Sequence, residues 1–414
     1  MSRPAVKPAW YRSPFGGLFS PAELTRARAH DPAVRCWAGL APSPRHDLPA
    51  ITGGAAGWDD DSAEAAGVGE AIERWQGWRL PGDEVIEASF ASWPRPESAI
   101  APERWVLFHP EQYALPDFPF GPLGPETVCR WVCFRAVGTG LPFWVPEGLA
   151  YLAPAEGECT ALCPMTSTGL SAGRVGQPVV LRGLQECIER DALMGAWWGS
   201  YGLEEHPADE VFDFLPREFP RRLRRPNLRY RFWRVVSPFS AHVTLAAVEG
   251  EDREGDIIFS IGAACRETRQ ASLLKAILEA VQGRHYVRLL VEQQPTDPPG
   301  WPTSFEEHAL FYTRHPGLLG RTVLNRAARA APADTAPEGL AALVERLGPD
   351  RPVLVRLMTP PGIASARLGW CVVRVVVPGL QPMHGHHALP FLGGPLWAPR
   401  PLADWANVLP HPFP

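Results

Sequence analysis

The sequence has no surplus of positive charge, no long apolar run and neither of the common glycine signatures for binding nucleotide phosphates. Its formal net charge is −5 over 414 residues, which argues against a general nucleic-acid binder. No stretch approaches the roughly 20 apolar residues that a bilayer-spanning helix needs. The opening MSRPAVKPAWYRS lacks the apolar run of a secretory signal. These absences predict a cytoplasmic protein with reduced thiols, and with neither membrane nor nucleic acid among its partners. There is no GxxxxGK followed by Ser or Thr, and no GxGxxG after a strand, so any nucleotide site must be of another design. None of the eight cysteines has the CxxC spacing usual for zinc; Cys129/Cys133 and Cys159/Cys163 are CxxxC pairs. In ETVCRWVCFRAV the first pair falls on one face of a period-2 strand, where the thiols read as core.

Hydrophobic residues make up 45% of the chain, enough to bury a large core. The length exceeds the usual ceiling of about 250–300 residues for one core, which by itself suggests two or three domains. Strand-like and helix-like segments nevertheless alternate with no obvious linker. That pattern favours one large mixed α/β (α+β) unit. Residues 1–50 are rich in Pro and Arg and weakly periodic, and read as a lead-in segment to a domain over 51–414. Strands are expected at RWVCFRAV, PFWVPEGLAYL, YRFWRVVS, HVTLAAVEG, DIIFSIGAA, RPVLVRLMT and WCVVRVVVPGL. The stretch Arg217–Arg234 holds eight arginines. It reads either as a solvated loop and strand edge or as a dock for an acidic partner. His384, His386 and His387 in HGHH fall in a loop with no further ligand evident; an ordinary polar loop competes with a metal site there.

Three helices are expected, over about residues 61–79, 178–198 and 268–290. On a wheel at about 100° per residue, Val68, Ile72 and Trp75 form the apolar stripe of the first. Leu181, Leu184 and Ile188 form that of the second, and Leu273, Leu274, Ile277 and Val281 that of the third. Opposite the stripes lie Glu70/Glu73, Glu186/Glu189 and Glu279/Gln282, each pair at i,i+3 and so on one face. Any surface helix carries glutamates there. Here, however, the pair recurs at one offset in three helices, and each helix follows a loop of small residues: TGGAAG, STGLSAG and SIGAAC. A basic residue precedes the glutamate by four positions in two of them, Arg182 before Glu186 and Lys275 before Glu279. Paired carboxylates repel unless a cation lies between them. Lys, Arg or Mg2+ can serve. Loops of small residues before helix N-termini expose N–H groups that suit phosphates.

At STGLSAG…GLQECIERDA, with GEAIER, EAVQGR and the terminal PHPFP in order, the chain resembles the YcaO family over roughly residues 50–414. The resemblance implies a single YcaO-type domain with mixed sheets and three acidic helices around an ATP site. It implies ATP and Mg2+ as cofactors and activation of a peptide-backbone amide by phosphorylation of its oxygen. By position, Glu70, Glu73, Glu186, Glu189 and Glu279 would be the Mg2+–phosphate carboxylates, with Gln282 in the same cluster. Ser171 would contact the nucleotide, Arg190 would contact phosphate, and Lys275 stands where relatives commonly have a basic residue. The chain departs from the family at Ala56, in place of a lysine, at Thr168 and Arg174, in place of asparagines, and at Pro178, in place of a glutamate.

Pro410, Pro412 and Pro414 alternate at the C-terminus, which favours a stiff polyproline-II tail over a frayed end. In the family this ending goes with azoline-forming cyclodehydratases, whose terminal carboxylate is implicated in proton transfer. Pro414 is therefore the expected general base, although an ordinary α-carboxyl is too acidic for that task unless desolvated. The resemblance implies ring closure of Cys, Ser or Thr in a ribosomal precursor peptide to thiazoline or (methyl)oxazoline. Thioamide formation and a non-catalytic peptide-binding scaffold are the alternatives. About 50 residues precede the matched region, too few for a fused ThiF-like domain. A separate ThiF-like, leader-binding partner is expected, and relatives suggest a homodimer.

Overall fold

Two of the three small-residue runs expected as loops, TGGAAG and SIGAAC, are strand, and the third, STGLSAG, opens one. The computed structural model describes residues 23–24, 27–41, 51–79, 82–93, 95–152, 161–252, 255–294, 296–297, 299–359, 369–397 and 400–414. Most of the lead-in segment and Cys159 lie outside these residues. The chain begins with β1 (Glu23–Leu24), β2 (Arg35–Ala41), β3 (Ile51–Gly57) and α1 (Asp60–Gln76). Next come β4 (Val85–Ala88), α2 (Pro110–Tyr113), β5 (Cys129–Ala136), β6 (Pro142–Pro146), β7 (Leu170–Arg174) and α3 (Val179–Trp197). The middle holds β8 (Gly202–His206), α4 (Ala208–Phe214), α5 (Glu218–Leu223), β9 (Leu228–Val236), β10 (Val243–Glu251), β11 (Ile257–Cys265) and α6 (Arg269–Gln293). Last are α7 (Phe305–Arg314), α8 (Pro316–Leu319), β12 (Ala328–Arg329), α9 (Leu340–Leu347), β13 (Leu354–Leu357) and β14 (Trp370–Val376).

The strands form three sheets, ordered β1-β2-β3, β11-β10-β9-β8-β12 and β4-β5-β13-β14-β7, with β6 paired to β5. Thus TGGAAG lies in β3, STGLSAG runs into β7, and SIGAAC ends β11. The small side chains serve close packing of strand on helix. A Cβ on Gly53 would lie 2.6 Å from Ala71 Cβ and 2.7 Å from Gly67 O of α1. A Cβ on Gly262 would lie 2.4 Å from Ala276 O and 2.5 Å from Ala280 N of α6. Glycine is the residue that admits such an approach.

Capping begins two of the long helices. The Asp59 side chain accepts from Ser62 N–H at 2.7 Å before α1, and the Thr268 side chain from Ala271 N–H at 3.1 Å before α6. Gly77 ends α1 earlier than its periodicity predicts. Helix α3 is buried along most of its length. Its Leu184, Ile188 and Leu193 join Trp233, Leu245 and Ile261 of the second sheet and Val373 and Val375 of the third in one core.

The two remaining polar features resolve differently. Cys129 is buried beside Trp93 and Trp131, as a strand-core thiol should be, while Cys133 is half-buried. Among the described residues no cluster of three ligand groups includes a cysteine. Six of the eight arginines of the arginine-rich stretch have partners within the chain, although Arg224 and Arg229 stay exposed. Arg234 pairs with Glu204 at 2.8 Å, Arg231 with Glu205 at 3.0 Å and Arg229 with Glu249 at 2.7 Å. Arg224 pairs with Asp209, while Arg222 and Arg225 bond the backbone carbonyls of Ala33 and Asp31. Among the described residues no helix is long and apolar enough to cross a membrane.

Candidate active site

Four of the five expected carboxylates are each held by a backbone N–H, three from strands and one from the turn that opens β7. Gly54 N donates to Glu70 Oε2 at 2.8 Å and Gly169 N to Glu186 Oε2 at 3.2 Å. Ala172 N donates to Glu73 Oε2 at 3.1 Å and Cys265 N to Glu189 Oε2 at 3.0 Å. Gln282 Nε2 in turn donates to Gly54 O at 2.7 Å.

These bonds follow a circular rule. Glu70 and Glu186, the first of their pairs, are held by the strand segment that leads into their own helix. The second member of each pair reaches the segment belonging to the next helix: Glu73 reaches β7, Glu189 reaches β11, and Gln282 returns to β3. Each helix thus touches two of these three strands, α1 touching β3 and β7, α3 touching β7 and β11, and α6 touching β11 and β3. Gly169 makes the middle junction feasible. Its φ is +83°, and a Cβ there would lie 2.0 Å from Val375 O, so only glycine fits.

The face opposite each apolar stripe is consequently an inner wall. Burial raises the Glu73 carboxyl well above its usual range, and the charges of Glu186 and Glu70 raise it further. Glu186 is raised, first by burial; Glu279 adds to this, while Arg190, the Gly169 N–H and Arg374 oppose it. Glu189 is pushed up to about 7, chiefly by burial and next by Glu279. Carboxylates that perturb one another in this way share one site. Glu186 still keeps 25% of its side chain accessible and Glu70 keeps 28%, so solvent reaches this wall.

Cations line the same wall. Lys275 Nζ lies 3.1 Å from Glu279 Oε1, as the four-residue spacing predicts. Arg182 does not partner Glu186; it bonds Gln185 Oε1 and Glu267 Oε2, each at 2.7 Å, because Glu267 is the carboxylate within its reach. Arg190 faces Glu186 instead, at 3.8 Å. Arg74, which sequence reasoning passed over, lies 2.6 Å from Glu70 Oε1. Arg374 was also missed. It is buried on β14, bonds Thr166 O at 2.7 Å and Leu149 O at 3.1 Å, and its charge favours an ionised Glu186. The signal was there to find: a lone arginine inside the apolar strand WCVVRVVV.

The other expected site residues divide. Ser171 is in β7, not in a loop, and is buried opposite Val373. Ala56 is buried in β3 against the α6 core, whereas Arg174 is exposed with its N–H on Gln177 Oε1. Pro178 occupies the N-cap of α3 without a side-chain bond. HGHH is not an exposed polar loop, since His384 and His387 are buried. The terminal segment is docked. Trp197 Nε1 donates to Leu409 O and Tyr312 Oη to Pro410 O, both at 2.7 Å, and Phe413 packs edge-on to Trp197 with ring centres 5.9 Å apart. Pro414 is exposed at its end, and among the described residues no hydrogen bond or ion pair joins it to the glutamates.

A family model described as YcaO cyclodehydratase, ATP- and Mg2+-binding, matches residues 54–381. No curated protein matches the chain. A solved structure of a heterocyclase in complex with substrate and cofactor is similar, with a TM-score of 0.70 and 18% identity. That likeness covers 97% of this chain but 55% of the heterocyclase chain, so this chain spans about half of its relative's length. The structure of YcaO from Methanopyrus kandleri bound with AMPPCP and Mg2+ is similar at TM-score 0.58 and 18% identity, over 88% of this chain and 86% of that one. A chain of the E. coli microcin synthetase McbBCD complex is similar at TM-score 0.65 and 11% identity, over 98% and 99%. At these identities the solved structures establish the shared fold.

Proposed function

The chain belongs to the YcaO family, and from that premise we propose that it is an ATP- and Mg2+-dependent cyclodehydratase. It closes Cys, Ser or Thr side chains of a ribosomal precursor peptide onto the preceding backbone amide, giving thiazoline or (methyl)oxazoline. The observation that carries this reading is the convergence of acidic side chains from α1, α3 and α6 on one wall, four of them clamped by backbone N–H groups.

The wall fits a hard divalent cation. Glu73 and Glu189 each commit Oε2 to an N–H and leave Oε1 without a protein partner among the described residues. Oxygen ligands of this kind suit Mg2+. Burial and mutual repulsion disfavour the ionised form of these groups, and a cation would offset both effects. Glu70, Glu73, Glu186, Glu189 and Glu279 are assigned to the metal, with Gln282 bridging to β3 beside them. Arg190 and Lys275 supply positive charge for phosphate oxygens, and Ser171 supports the nucleotide from β7. When bound, Mg2+-ATP supplies the phosphoryl group that lets the amide oxygen depart as phosphate. The chain's own contribution is to fix the carboxylates, counter the developing charge with Arg190 and Lys275, and exclude bulk water through the buried α3. The terminal carboxylate of Pro414, presented by a docked tail, takes the proton from the attacking thiol or hydroxyl.

A separate ThiF-like protein is the proposed presenter of the precursor peptide, and a homodimer is part of the same reading. The likeness to one chain of the McbBCD complex along nearly its whole length supports a subunit that works with partner chains. The test is reconstitution with precursor peptide and partner. Peptide-dependent phosphate release, with loss of one water per ring by mass, is expected. Oxygen-to-sulfur exchange would reassign the chemistry to thioamide formation, and absence of phosphate release would mark a scaffold.

A further inference from the structure

Beyond the C-terminal end of α3, three histidines from two distant segments meet in the interior. His308 lies on α7, while His384 and His387 come from the HGHH turn; all three are buried. Their ring centres form a nearly equilateral triangle with sides of 6.0, 6.2 and 6.3 Å. One ring nitrogen from each lies within 4.8 Å of the other two. We propose that His308, His384 and His387 form a metal site distinct from the glutamate cluster, for a divalent transition metal of the zinc class.

The hydrogen bonding leaves lone pairs for such an ion. His308 Nδ1 donates to His411 O at 2.7 Å, so its Nε2 carries the lone pair, and that atom has no partner. His387 Nδ1 and both nitrogens of His384 are likewise buried and unpaired. Fixing one ring nitrogen through a backbone carbonyl is how metal-ligating histidines are usually oriented. Burial lowers all three imidazoles below the ordinary range, which keeps them neutral, the form that ligates. Three imidazoles without a carboxylate suit Zn2+, Co2+ or Cu2+ rather than Mg2+ or Ca2+. Two nitrogens about 2.1 Å from one tetrahedral zinc are about 3.4 Å apart, a contraction that small ring rotations supply.

The local sequence is shaped for this meeting. A Cβ on Gly385 would lie 2.7 Å from the Phe305 ring, so the turn can seat against the first residue of α7 only because that position is glycine. His411 stacks on His308 with ring centres 3.9 Å apart and donates Nε2–H to His384 O at 2.7 Å. A metal here would therefore tie α7, the HGHH turn and the terminal segment together.

The test uses the full-length protein without a polyhistidine tag, stripped with chelator and titrated with Co2+ alone. One equivalent is expected to give the intense visible bands of four-coordinate cobalt, and Zn2+ should displace it. His384→Ala should weaken binding by at least about 100-fold, while Glu186→Gln should leave it unchanged. The proposal fails if the wild-type protein shows no stoichiometric cobalt spectrum. It fails equally if the spectrum survives in His384→Ala or is lost in Glu186→Gln. Because the wild-type titration is decisive alone, misfolding of a histidine variant would not protect the idea.

Discussion

Glu189 of α3 accepts the backbone N–H of Cys265, 3.0 Å away at the end of β11, so one carboxylate ties the second acidic helix to the strand that leads into the third. The same carboxyl is pushed up to about 7. A group that holds the architecture together is thus also one that the architecture destabilises when it ionises. This is the usual tension at a site built to bind a cation.

Glu189→Gln should separate the two roles. In the unfolded chain this carboxyl titrates near about 4.3, so the folded protein holds an extra proton between there and about 7. Stability of the metal-free protein therefore falls as pH rises through that window. The glutamine keeps an acceptor for Cys265 and removes the charge. At pH 8 the metal-free variant should melt roughly 2–6 °C higher than wild type, while peptide-dependent phosphate release should drop by about 100-fold or more. A variant that melts lower at pH 8 would contradict the account.

Affinity for Mg2+ with a non-hydrolysable ATP analogue should strengthen as pH rises from 6 to 8. Glu73, Glu186 and Glu189 are all raised by burial, and the proton must leave before the metal binds. Calorimetry in two buffers of different ionisation enthalpy should register proton release below about pH 7, fading above it. A dissociation constant that does not change with pH would count against carboxylate ligation.

Gly262→Ala should push α6 off β11, because its new methyl would meet backbone atoms at 2.4 and 2.5 Å. A loss of about 1–3 kcal/mol in urea unfolding is expected, together with weaker nucleotide binding, since Glu279 rides on the displaced helix. Gly317, which has nothing within 4 Å, is the control. Its alanine variant should stay within about 0.5 kcal/mol of wild type.

Removing Pro414 should leave the melting temperature unchanged, because that residue is exposed, but should slow ring formation if its position supplies the general base. Phe413→Ala should instead cost about 3 kcal/mol, since the ring is buried against Trp197. Equal effects of the two changes on stability would show that the tail is not docked as described.

Much of the site was legible because charge at fixed helical spacing is a one-dimensional signal. The bounds of α3 and α6 and the pairing of Lys275 with Glu279 follow from periodicity alone. The small-residue runs misled because alanine and glycine carry no period. Their meaning, the closeness of Gly53 to α1 and of Gly262 to α6, exists only once strand and helix meet. Arg182 and Arg190 are equally spaced from Glu186, so spacing could not choose between them; the location of Glu267 did. His308 gave no hint of its role, because its partners in HGHH are brought to it only by the fold.

The bonds from Glu73, Glu189 and Gln282 run round a loop in which every helix borrows a strand from its neighbour. No contiguous piece of this polypeptide can assemble a third of the acidic wall on its own. Loosening any one junction should therefore be felt at the other two, and the wall should form or come apart as a whole during folding.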